Sequence, residues 1–135
     1  MSNATPLLSP ERDERLYLRD MLQFCERAIA YTQGLSFEAV MADPMRYDAT
    51  LRNLELIGEA ATHVPAPLRM QAPDIEWRRI VGTRNRVAHA YLGIEAETVW
   101  LIVTEHLPVL RDQLHTLIAR SAGGGSGSGR VDRPD

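Results

Sequence analysis

The stretch Trp77-Arg-Arg-Ile-Val-Gly-Thr-Arg-Asn-Arg-Val-Ala-His-Ala-Tyr91 decides how the rest of the chain is read. Wound at about 100° per residue with Arg84 at zero, Ile80 falls near −40°, Val81 near 60°, Val87 near −60°, Ala88 near 40° and Tyr91 near −20°. That period predicts an amphipathic helix over about 76–92. It also sets Arg84 in the middle of the apolar stripe, and none of its neighbours three or four residues away is acidic. A guanidinium cannot shed its proton, so a buried one needs an anionic partner from elsewhere. Two partners fit: a glutamate of a neighbouring helix, Glu55 or Glu59, or the phosphate of a ligand.

The same period recurs on both sides of this stretch. Ser9-Pro10-Glu11 reads as an N-cap, a proline at the first helical position and an acid in the first turn. Leu18, Met21, Leu22, Cys25, Ile29 and Thr32 continue at helical spacing, and Gly34 ends the helix. Ser36 opens a short helix to about Ala42. Asp43-Pro44 repeats the cap-and-proline signal, and Tyr47, Leu51, Leu54, Gly58 and Ala61 form the next stripe. Gly58 costs a helix about 1 kcal/mol relative to alanine, but with Ala60 and Ala61 it makes a face that another helix can approach closely. Pro65, Pro67 and Pro73 predict a turn and one short helix. Gly93 interrupts the chain, and a last helix over about 95–120 carries Val99, Val103, His106, Leu107, Leu110, Leu114 and Leu117 in register, with a kink expected at Pro108. No alternating β-branched run predicts a strand. The expected architecture is all-α, an antiparallel up-down bundle of four to five helices. The expected layout is a flexible N-terminus over 1–8, one helical domain over 9–120 and a flexible Gly/Ser-rich tail over 121–135.

A chain of 135 residues, 44% of them hydrophobic, suits one domain with a modest core. A single cysteine, Cys25, excludes an internal disulfide, and its place on an apolar stripe makes it core. No apolar run reaches the ~20 residues of a membrane span, and Met-Ser-Asn-Ala-Thr-Pro has no secretory character. The expectation is a soluble cytoplasmic protein without membrane contact. The net charge of −3 argues mildly against RNA as a ligand, since nucleic-acid binders usually carry excess positive charge. The distribution says more. Every basic residue is arginine, and 77–94 holds four of them (Arg78, Arg79, Arg84, Arg86), one histidine and no acid. A local positive field of that size suits a small phosphate site.

Several chemistries lack their residues. His63, His89, His106 and His115 never fall at the helical spacing of a metal site, and there is no phosphate-cradling glycine loop. No metal and no cofactor are expected. His106 lies on the packed stripe of the last helix and is expected in the core. Trp77 and Trp100 are expected as core residues or interface anchors. What remains is Arg84, Asn85 and His89. Histidine has a loose proton near neutral pH, and arginine stabilises a developing phosphoryl charge with paired donors. Together they suffice for metal-free RNA cleavage, in which the 2′-hydroxyl attacks the adjacent phosphate. Asn85 and His89, four apart, share a flank of the helix, so Asn85 can orient the imidazole. Arg84 and His89 lie about 140° apart on one ideal helix, so a second copy across a two-fold axis would complete the site. Arg86 and Arg79 are further candidates for binding substrate.

From Arg15 to Leu117 the chain resembles the HepT family, the branch of the HEPN superfamily associated with minimal nucleotidyltransferases. Four stretches carry the resemblance: Tyr31 to Phe37, Leu54-Glu-Leu-Ile-Gly-Glu-Ala60, Trp77 to Tyr91, and Ile94 through Trp100. The third holds the superfamily's Arg-four-residues-His pattern as Arg84 and His89, extended to Tyr91. Thr83 stands where a bulkier residue is expected, which is a packing difference. The resemblance implies a helical homodimer with its motif copies facing each other. It implies a metal-independent endoribonuclease toxin acting on RNA, neutralised by a cognate nucleotidyltransferase antitoxin that transfers AMP to Tyr91. The alternative, favoured by the acidic net charge, is a non-catalytic helical module that binds the nucleotidyltransferase or presents nucleotide to it.

Overall fold

The computed structural model describes the backbone of residues 10–89 and 94–126 and the side chains of 15–89 and 94–121. Helix α1 (Pro10–Thr32) ends where Gly34 takes a positive φ of 78°, the left-handed turn that glycine adopts at little cost. Ser36 caps α2 (Phe37–Met41) by accepting from the Ala39 N–H, and Asp43 caps α3 (Pro44–Thr62) by accepting from the Arg46 N–H, with Pro44 at its start. The proline-rich connection contains only the one-turn α4 (Ala66–Arg69) before α5 (Trp77–Ala88). Helix α6 (Ala96–Leu101), a π turn (Ile102–His106) and α7 (Leu107–Ser126) form the last rod. No strand occurs among the described residues.

The fold is an all-α bundle. Helix α3 packs on α1 and on α5, and α1 packs on α7. Leu18, Met21, Cys25 and Ala28 of α1 meet Leu54, Ile57 and Ala61 of α3 and Leu114 and Leu117 of α7 in one continuous core. Burial pushes the Cys25 thiol up to about 12, in keeping with a structural cysteine.

Three local expectations need correction. The helix bearing the basic segment stops at Ala88 instead of running on toward Leu92: His89 has φ −112° and ψ 47°. No proline or glycine marks this stop, and hydrophobic periodicity reports which face is buried, not where a helix ends. Pro108 lacks the N–H that would bond four residues back, and the turn directly before it widens into the π turn. The extra residue in that turn keeps Val103, Leu107 and Leu110 on the core side and rotates His106 out, so His106 is exposed instead of buried. Of its two expected places Trp77 takes the core: its Nε1 donates to the Ala72 carbonyl at 3.1 Å and the Arg69 guanidinium lies over its ring. The last helix continues to Ser126, past the expected end near Arg120.

Candidate active site

Arg84 is placed by a close crossing of two helices. A Cβ added to Gly58 of α3 would lie 2.1 Å from the Arg84 Cβ and 3.0 Å from the Ile80 carbonyl oxygen. Only glycine lets α5 approach α3 this closely, and the approach lays the stem of Arg84 across the small-residue face. The guanidinium then emerges at the edge of the crossing, where its side chain is 33% exposed. Nη2 donates to Oε1 of Glu59, and Nη1 donates to Oδ1 of Asn85 at 2.9 Å. Nε is buried and has no hydrogen-bond partner among the described residues. The missing acid of α5 is thus supplied by α3, at Glu59 and not at Glu55, which pairs with Arg52 instead.

The other predicted residues divide around this point. Asn85 is in direct contact with Arg84, so two members of the expected set are brought together. His89 is the exposed residue that ends α5, its N–H reaching the Val87 carbonyl. Arg79 pairs with Glu76 at 2.9 Å, and Arg79 and Arg86 lie on the face of α5 turned away from Arg84, lining a groove between α5 and the last rod. Tyr91 lies outside the described residues. No group of three or more His, Cys, Asp or Glu able to hold a metal is found among the described residues.

One part of the site was not anticipated. Oε2 of Glu59 faces Nε2 of His63 one turn along α3, at 3.7 Å, and the His63 ring stacks on Tyr17 of α1 with centroids 4.8 Å apart. The i, i+4 spacing of Glu59 and His63 is visible in the sequence. Tyr17 is not, because only the packing of α1 on α3 brings it there.

The match to known proteins covers Glu59, His63, Arg84, Asn85 and His89. A family model described as "Ribonuclease HepT-like" matches residues 21–117. The chain belongs to the HepT-like ribonuclease family. A protein of Caldanaerobacter subterraneus subsp. tengcongensis named as an RNase is 33% identical over 106 residues, 78% of this chain and 95% of its own. "Probable ribonuclease HepT" of Thermococcus cleftensis is 31% identical over 107 residues, 79% of this chain and 97% of its own. A protein of Methanocaldococcus jannaschii named as an RNase is 31% identical over 104 residues, 77% of this chain and 95% of its own. No solved structure matches. HepT-like ribonucleases are RNA-cleaving enzymes, and this chain is one of them.

Proposed function

We propose that the chain is a metal-independent endoribonuclease toxin whose chemistry lies at Arg84, Asn85 and His89, in a homodimer that sets two copies of the motif face to face. The observation that carries this is Arg84 itself. A guanidinium held at the edge of a tight helix crossing, one third exposed and keeping unused N–H groups, is the pre-organised donor that a phosphodiester in transition requires. In the reaction the 2′-oxygen bonds to phosphorus as its proton passes to a base, and the P–O5′ bond breaks as the leaving 5′-oxygen takes up a proton. The products are a 2′,3′-cyclic phosphate and a 5′-hydroxyl. His89, exposed at the helix end, is the acid or base for one of these transfers. Its counterpart in the second copy serves the other.

The acidic chain is neutralised, on this reading, by a cognate nucleotidyltransferase antitoxin that transfers AMP to the Tyr91 hydroxyl. The added phosphate competes for Arg84 as the RNA phosphate does. The test uses purified chain and a labelled RNA. His89→Ala loses about 10²–10⁴-fold in rate with helical content intact, and chelator changes nothing. Retained activity in His89→Ala, or loss with chelator, overturns the mechanism. Co-expression with the nucleotidyltransferase adds AMP by intact mass, and Tyr91→Phe abolishes the shift. A shift that persists in that variant sinks the modification site alone.

A further inference from the structure

We propose that Glu59 is a positioning residue for Arg84, the middle member of a chain of contacts that runs from Tyr17 through His63 to the guanidinium. The inference rests on the catalytic reading of Arg84. The members come from three helices and one cap: Tyr17 from α1, Glu59 from α3, His63 from the C-cap of α3, and Arg84 with Asn85 from α5. Each contact restrains the next. The stacked Tyr17 ring limits the turning of His63, His63 faces one oxygen of Glu59, and the other oxygen accepts from Nη2 of Arg84.

The arrangement fits a support and not only a neutralising charge. An arginine side chain has about 2 kcal/mol of rotamer entropy, and a phosphate clamp is effective only when its donors already stand where charge develops. Gly58 fixes the base of the Arg84 stem, because backbone and Cβ are pressed together there. The guanidinium beyond it is one third exposed, and its buried Nε has no polar partner among the described residues to set its direction. Glu59 and Asn85 take one N–H from each Nη. A guanidinium has five N–H groups, so each Nη keeps a second for an incoming phosphate oxygen. A carboxylate beside a phosphate site weakens anion binding. Its presence therefore favours ground-state affinity less than it favours the geometry of Arg84.

Two conservative variants separate reach from charge. Glu59→Gln keeps the length and an acceptor oxygen but loses the charge. Glu59→Asp keeps the charge but withdraws the carboxylate by one methylene. Positioning predicts that Glu59→Gln holds kcat within about fivefold of the parent, since a neutral acceptor still makes the bond at about half the strength, and that its KM for RNA falls. Glu59→Asp loses about 10–100-fold in kcat, the usual cost of releasing a group that orients a functional one, with little change in KM. Both variants keep the fold, checked by helical content and by a thermal midpoint above the assay temperature. Equal kcat in Glu59→Asp and the parent overturns the proposal, and so does an Asp variant more active than the Gln variant, which would make Glu59 a charge and not a support. Arg84→Ala is run beside them. If Arg84→Ala keeps the parent rate, the catalytic reading has failed. If Arg84→Ala is dead and Glu59→Asp is fully active, only the role of Glu59 has failed.

Discussion

On one face of α5, Arg84 is pressed onto Gly58, its guanidinium is bonded to Glu59 and Asn85, and Ile80 and Val87 beside it join the core. On the opposite face, Arg79, Thr83 and Arg86 line an open groove of about 530 Å³ whose far wall includes Leu101, Ile102 and Val109. Leu101 and Val109 are 50% and 56% exposed. The two faces hold the same residue type in the same helix, yet they differ in what fixes it. The inner arginine is fixed by backbone approach, which the side chain cannot escape. The outer ones are long side chains in water, where an ion pair such as Arg79–Glu76 is worth ~0–1 kcal/mol. Arginine number therefore says little about which arginine is held in place, and helix packing says much.

The sharpest way to break this contrast is to truncate one arginine from each face. Arg84→Ala is expected to lower the RNA cleavage rate by ~10²–10³-fold, the cost of removing one pre-organised donor to a developing oxyanion. Arg86→Ala is expected to change kcat by less than about threefold and to raise KM in low salt only, because an exposed charge acts through a screened field. Steady-state kinetics at two ionic strengths decides it. An Arg86 variant as impaired as the Arg84 variant would mean that the outer face also meets the scissile phosphate.

The sequence made the inner face readable because burial leaves a period. The stripe through Ile80, Arg84 and Val87, the small-residue face at Gly58, Ala60 and Ala61, and the caps at Ser36 and Asp43 all follow from local rules, and all are present. Glu59 was one of two acids in the right place; choosing it over Glu55 required the actual crossing point of α3 and α5. His63 and Tyr17 were not legible because their meeting depends on how α1 lies on α3. His106 was misplaced because periodicity assumes a constant 3.6 residues per turn, and the π turn before Pro108 breaks that assumption. The outer face left no period at all, since solvent imposes none.

A smaller effect tests the crossing itself. Gly58→Ala gains helix propensity of about 1 kcal/mol, but its methyl must displace the Arg84 Cβ, which would stand at 2.1 Å. Overpacking of that kind typically costs about 1–3 kcal/mol. The net expectation is a lower thermal midpoint and, because the Arg84 stem moves with α5, a fall in kcat larger than the loss of folded protein accounts for. Thermal melts paired with active-site titration separate the two. An unchanged midpoint would show that α5 can slide away freely, and the inner face would then be no better fixed than the outer.

The smallest expected effect comes from the glycine on the outer face of α5. Gly82 lies mid-helix in α5, about 160° round from Arg84 on an ideal helix, and a Cβ added there meets nothing within 4 Å among the described residues. Gly82→Ala has no clash to offset the propensity gain, and alanine also narrows the unfolded ensemble. A rise of about 0.5–1 kcal/mol is expected, seen as a midpoint higher by roughly 2–8 °C for a domain of this size. Cleavage should be unchanged if the outer face is open in the working enzyme. The sign is thus opposite to that of Gly58→Ala, although both substitutions add the same methyl group to helices that touch. The informative failure is a variant that is more stable yet slower, or one whose sedimentation differs from that of the parent. A single methyl in open solvent cannot do either. Such a result would place a second macromolecule against this face of α5, close enough to feel one carbon atom, and the division of α5 into a fixed face and a free one would hold only for the isolated chain.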